Sequence, residues 1–127
     1  MSYSQEIRNW RGGVFDNPWQ GKDKKVVFVC SMGILRSATA ARIYAHKYNT
    51  RAAGSWSDAL VPLTEDLIMW AEEIVFVNDE NYLHVLKDMP ELQYFIHKKA
   101  RVLSIPDSHA HMDPILIQAF EDQYEPL

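Results

Sequence analysis

Cysteine is nearly missing from this sequence: Cys30 is the only one. A lone thiol closes no internal disulfide, so the pattern suits a reducing compartment. Positive charge is also short. Thirteen Lys and Arg stand against seventeen Asp and Glu, a formal net charge of −4, which argues against general electrostatic capture of nucleic acid or of an anionic membrane. No apolar stretch approaches the roughly 18 residues of a membrane span. The polar opening MSYSQEIRNWRGG lacks the apolar run of a signal peptide. Internal repeats and low-complexity tracts are lacking too. These absences predict a cytoplasmic protein with no nucleic-acid or membrane partner.

What is present is an ordinary globular composition. The 127 residues, 47% of them hydrophobic, suffice for one domain whose core needs no metal or disulfide staple. Residues 1–24 mix glycine, proline and charge around the isolated aromatics Trp10, Phe15 and Trp19, and read as an irregular N-terminal arm. Residues 25–127 read as the domain. Lys25–Val29 is a continuous β-branched run of the kind buried on both faces of a sheet. A helical pattern over Ser37–Tyr48 follows, then a short strand ending at Gly54. LTEDLIMWAEE predicts a helix capped by Thr64, with Met69 and Trp70 on its core stripe. Glu73–Asn78 repeats the strand pattern, two short helices break at Pro90, Arg101–Ile105 is a fourth strand, and DPILIQAFEDQY is a last helix. Alternating strands and helices predict an α/β fold, a parallel sheet covered on both faces. Ligands of such sheets bind beyond the carboxyl ends of the strands, where Cys30 lies.

The stretch VVFVCSMGILRS therefore joins a strand to a helix through a loop that starts at the thiol. Amides curling into a helix N-terminus converge on a positive dipole end and cradle anions. Gly33 permits backbone angles closed to other residues. The planar fork of Arg36 can clamp two phosphate oxygens, which a lysine cannot copy. The same field favours a thiolate, and thiolate is the nucleophilic form of cysteine. Ser37 can donate a hydrogen bond to that sulfur, easing its ionisation and later departure. A lone cysteine at a strand end is often only a small apolar filler; the arginine and serine six and seven places on, between a strand and a helix, argue for chemistry instead.

Cys30-x5-Arg36-Ser37 matches the phosphate-loop signature of cysteine-based protein tyrosine phosphatases, and its position after the first strand resembles the low-molecular-weight class. VVFVCSMGILRSATA, AAGS, PLTEDLIMWAEEIVFV and VLSIPDSHAHMDP occur in that order. Together they resemble a small family of predicted tyrosine phosphatases of bacteria and phages related to the low-molecular-weight enzymes. The resemblance runs from Lys25 to the end of the sequence and leaves the arm outside. It implies a four-stranded parallel sheet between two helical layers, and hydrolysis of phosphotyrosine in proteins or peptides through a phosphocysteine intermediate, without cofactor. Ser31, Met32, Gly33, Ile34, Leu35 and Arg36 would form the phosphate-binding loop. Two positions depart from the pattern. Gly33 stands where these enzymes commonly carry a bracing asparagine, and Leu35 stands where many carry a second cysteine, so no neighbouring disulfide can protect Cys30.

Cleaving a phosphate ester also calls for a proton donor to the leaving oxygen. IPDSHAHMDP offers two carboxyls. Asp113 precedes Pro114 at a helix start and reads as an N-cap. Asp107 follows the fourth strand on the same rim as Cys30, and is the expected general acid, although low-molecular-weight enzymes usually show Asp-Pro where this chain has Pro106-Asp107. His109, His111 and Asp113 have an H-x-H-x-D spacing but no further spaced ligand, so no metal site is expected. Trp56 is a candidate aromatic wall for a phosphotyrosine ring. Three other functions compete: a phosphocysteine carrier like those of the sugar phosphotransferase system, which needs neither arginine clamp nor acid; thiol-dependent arsenate reduction, which draws on further cysteines; and a phosphate-binding module with weak activity.

Overall fold

A computed structural model describes residues 23–125. The arm expected over 1–24 lies outside them up to residue 22. Strands β1 (Lys25–Cys30), β2 (Asn49–Gly54), β3 (Glu73–Phe76) and β4 (Ala100–Val102) form one parallel sheet in the order β2-β1-β3-β4. Between and after them run helices α1 (Arg36–Ile43), α2 (Glu65–Trp70), α3 (Asp79–Asp88), α4 (Gln93–Lys99) and α5 (Pro114–Gln123), with a 3-10 turn at Pro90–Leu92. The chain reverses its direction of travel across the sheet between β1 and β3. That is the switch point at which such sheets open a crevice beyond their carboxyl ends.

The period of two along β1 builds the two halves of the core. Val26, Phe28 and Cys30 face one layer, where Ala38 and Ala41 of α1 and Leu116 and Phe120 of α5 pack on them. Val27 and Val29 face the other, against Leu67, Ile68, Val85 and Ile96 of α2, α3 and α4. Phe28 anchors an aromatic group on the first side: its ring lies 5.9 Å from Tyr44, 5.4 Å from Tyr124 and 6.3 Å from Phe120. Burial pushes the Tyr44 phenol up to about 12, so the hydroxyl stays neutral within the cluster. Residues 26–29 are each 0% exposed, and their burial on both faces holds Cys30 in register with Gly54 at the end of the central strand.

Several elements are shorter than the hydrophobic pattern predicts, each for a local reason. α1 ends at Ile43 rather than Tyr48, because Tyr44 and Tyr48 turn in to the aromatic cluster and the Asn49 amide already bonds to the Lys24 carbonyl. β3 stops at Phe76 because Asn78 caps α3, its Oδ1 accepting from the Glu80 amide. β4 ends at Val102 instead of Ile105. The Leu103 and Ile105 amides still bond to β3 and its continuation, but the Ile105 carbonyl turns to the Arg36 guanidinium. α2 has only six residues: Leu67 and Ile68 are buried and Trp70 packs half-buried against the core under Arg51, while Met69, expected on the core stripe, is 47% exposed. The Thr64 hydroxyl caps α2 as expected, accepting from the Leu67 amide at 3.2 Å. Among the described residues no helix is long and apolar enough to cross a membrane.

α5 begins at Pro114, with the Asp113 carboxylate accepting from the Ile115 amide at 2.8 Å. Asp113→Ala should therefore lower the stability by about 1 kcal/mol, measured as a shift in the urea midpoint. Phosphate affinity should stay within about twofold of wild type, since the cap lies outside the site.

Candidate active site

The loop between β1 and α1 lies directly against the end of β2. Gly33 has φ +84°, and a Cβ there would stand 2.8 Å from both the Gly54 nitrogen and the Val61 oxygen. A Cβ on Gly54 would stand 2.5 Å from the Ser31 carbonyl oxygen. Both glycines are thus required by backbone meeting backbone. An asparagine would not fit at residue 33 without moving this contact, so the bracing expected of that position has to come from elsewhere.

It comes from behind the loop. The Cys30, Ser31 and Met32 carbonyls accept from the amides of Ser55 (2.7 Å), Trp56 (3.2 Å) and Val61 (3.2 Å). Sequence reasoning missed one further brace, Asn81. On the first turns of α3 and only 2% exposed, Asn81 donates from Nδ2 to the Ser55 hydroxyl at 3.0 Å and to the Ser31 hydroxyl at 3.3 Å. The available signal was a polar residue four places before the buried Val85, on the face of α3 that packs on the sheet.

With its carbonyls held from behind, the loop presents donors at the front. The amides of Met32, Ile34, Leu35 and Arg36 have no acceptor among the described residues, and α1 begins with no side-chain cap. Such a helix start offers several unpaired N–H groups and the positive end of the dipole together. Cys30 Sγ, in a residue only 3% exposed, accepts from the Gly33 amide at 3.2 Å and lies 3.0 Å from the Ser37 hydroxyl.

Arg36 is buried at the first position of α1, on the other side of the opening. One Nη donates to the Ile105 carbonyl at 3.0 Å, the other to the Ser31 hydroxyl at 3.3 Å, and Nε lies 3.6 Å from the Asp107 carboxylate. Every nitrogen of the fork is therefore directed. The Asp107 side chain is 62% exposed, so it reaches the guanidinium from solvent. Cys30, Ser31, Met32, Ile34, Leu35, Arg36 and Asp107 line one cavity of about 80 Å³. It suits a small oxyanion with its substituent left outside.

The structure brings together all the loop residues named from sequence, with Ser37 behind the thiol and Asp107 over the arginine. Trp56 is elsewhere. Its amide is tied behind the loop, and it lines a separate hollow of about 360 Å³ with Ser55, Pro62, Leu63, Val85 and Met89. Trp56 is thus not among the residues lining the cavity at Cys30. His109 and His111 part company: His109 lies 3.8 Å from Asp113, and His111 lies 3.5 Å from the Thr39 hydroxyl. Among the described residues no three His, Cys, Asp or Glu side chains are grouped to hold a metal ion.

No protein-family model and no curated protein matches the sequence. Solved structures do match in three dimensions. Wzb of Vibrio vulnificus, in complex with benzylphosphonate, has a TM-score of 0.56 at 15% identity, over 78% of this chain and 90% of its own. The low-molecular-weight protein tyrosine phosphatase of Campylobacter jejuni gives 0.55 at 17%, over 78% and 92%. A YwlE mutant from Bacillus subtilis gives 0.55 at 19%, over 78% and 90%. A second YwlE structure, of an arginine phosphatase with a phosphorylated active-site serine, gives 0.52 at 20%, over 77% and 87%. The chain has the fold of the low-molecular-weight protein tyrosine phosphatases.

The backbone contact makes a direct prediction. Gly33→Ala should lose more than the ~1–2 kcal/mol of a left-handed alanine, because its Cβ also meets the β2 backbone. Thermal unfolding with and without phosphate reads both effects: a lower midpoint, and a smaller rise of that midpoint on adding phosphate than in wild type.

Proposed function

We propose that this protein is a cysteine-dependent phosphomonoesterase, and that its substrates are phosphotyrosyl residues of proteins or peptides. One observation carries the reading. A buried cysteine sulfur that accepts from the Gly33 amide and lies against the Ser37 hydroxyl opens on the same small cavity as an uncapped helix start, a fully directed arginine and an exposed carboxylate. Each part matches a need of phosphoryl transfer. The loop amides and Arg36 receive the three equatorial oxygens, whose charge is the main thing a catalyst must stabilise.

In the first step the Cys30 thiolate attacks phosphorus. A P–S bond forms, the P–O bond to the leaving group breaks, and the leaving oxygen takes a proton from Asp107. In the second, water gives its proton to the Asp107 carboxylate and attacks phosphorus. The P–S bond breaks, inorganic phosphate leaves, and the thiolate returns with Ser37 donating to it. Neither step calls on a cofactor or metal. A phosphocysteine carrier would need only the first half, and would have no use for a carboxylate over the arginine.

Phosphoarginine is the second reading. YwlE is described as an arginine phosphatase, and the residues lining the cavity beside Cys30 include Met32, Ile34 and Leu35 but no aromatic ring. Comparing kcat/KM on matched phosphotyrosyl and phosphoarginyl peptides decides between the two, and we expect the tyrosyl peptide to be preferred.

The pure protein should turn over p-nitrophenyl phosphate, and Cys30→Ser should abolish that turnover without loss of fold. Equal turnover by the serine variant would remove the nucleophile from the reading. Asp107→Ala should slow phenyl phosphate hydrolysis by roughly 10²–10⁴-fold, the ordinary worth of acid catalysis. The defect should shrink as the leaving group improves. A defect of equal size for good and poor leaving groups would assign Asp107 another role.

A further inference from the structure

We propose that the Ser31 side chain is itself a phosphate ligand, its hydroxyl donating into the cavity, and that Asn81 is the positioning residue that turns it there. This role rests on the phosphatase reading and adds to it a donor beyond the loop amides and Arg36.

Counting protons locates the donor. The Ser31 oxygen receives one hydrogen bond from Arg36 Nη2 and one from Asn81 Nδ2, each at 3.3 Å. A guanidinium nitrogen and an amide NH₂ donate and do not accept. A hydroxyl oxygen has two acceptor sites and one proton. Both acceptor sites of Ser31 are therefore occupied, and its proton must leave in the remaining direction. Among the described residues nothing accepts it. Ser31 lines the cavity beside Cys30, so a phosphoryl oxygen bound there is the acceptor within reach.

Asn81 holds this arrangement from outside the loop. Its Nδ2 also donates to the Ser55 hydroxyl at 3.0 Å, and it is only 2% exposed. Its Oδ1 has no partner among the described residues. A buried amide left half satisfied is a standing cost to the fold. An apolar residue would fill that face of α3 at less cost but would leave the Ser31 hydroxyl with only one of its two donors. Ser31 is thus directed twice, by the arginine that binds the same oxyanion and by an asparagine that touches no substrate.

The test is equilibrium binding of inorganic phosphate by calorimetry, with p-nitrophenyl phosphate kinetics alongside. Hydrogen bonds to charged groups carry enough energy that Ser31→Ala should weaken phosphate binding by about tenfold or more. Ser31→Thr, which keeps the hydroxyl, should stay within about threefold of wild type. Asn81→Ala should weaken binding severalfold when introduced into the wild-type protein. Introduced into the Ser31→Ala variant it should leave binding unchanged, since Asn81 acts through that hydroxyl. Multiplying losses in the double variant would overturn the positioning role, because general loosening of the loop would penalise both backgrounds. Phosphate binding by Ser31→Ala within about twofold of wild type would overturn the ligand role. That result would also follow if the Asn81 amide faced the other way and took the Ser31 proton on its own oxygen. In either case wild-type turnover would persist and the phosphatase reading would stand. A wild-type protein that neither binds phosphate nor hydrolyses the ester would overturn both.

Discussion

Two backbones lie closer together in this protein than any side chain allows, and the site is built on that contact. Gly33 and Gly54 let the loop after β1 rest on the end of β2, with the Ser31 and Met32 backbone against one glycine and the Ala53–Gly54 backbone against the other. Once the loop is seated there, its carbonyls find amide donors behind it. The opposite edge is left with unpaired amides at a helix start. A loop lifted by one methyl group would lose those bonds and the direction of the amides together. The row of unpaired amides is in this sense a consequence of glycine packing rather than of charge.

Charge is then added sparingly. The chain is acidic as a whole, and the site does not offset this with a basic surface. It uses one buried arginine whose fork is spread over a carbonyl, a hydroxyl and a carboxylate. Burying a guanidinium is costly unless its donors are met, and Asp107 supplies part of that partnership from solvent. In the proposed reaction a phosphoryl group takes over the guanidinium and releases the carboxylate toward the leaving oxygen. In that proposal a single ion pair at 3.6 Å would link binding of the anion to delivery of the acid.

The rest of the fold sets positions. β1 is central and sealed on both faces, so Cys30 stands at a fixed height. The Ile105 carbonyl, just past β4, takes one end of Arg36, so the far edge of the sheet orients a residue that belongs to α1. α3 reaches under the loop with Asn81. Three separated segments thereby hold a loop whose own residues include no bracing side chain at position 33.

The sequence by itself determined the strands, the order of the elements and the place of the Cys30–Arg36 loop between a strand and a helix, because these depend on neighbours in the chain. A β-branched run makes a buried strand, and a cysteine six residues before an arginine spans one loop and the start of one helix. Asp113 was legible as a cap for the same reason: its partner is the amide two residues on. Element ends were less legible where Tyr44 and Ile105 leave their helix and strand for partners elsewhere in the structure. Tertiary structure alone decided that Trp56 faces a different hollow from the one at Cys30, because its amide is bound behind the loop. It alone decided that Asn81, 50 residues from Ser31, closes the hydrogen-bond network of the site. Both depend on which backbones meet across the sheet, and the Gly33–Gly54 contact joins residues from different strand ends that local pattern cannot pair.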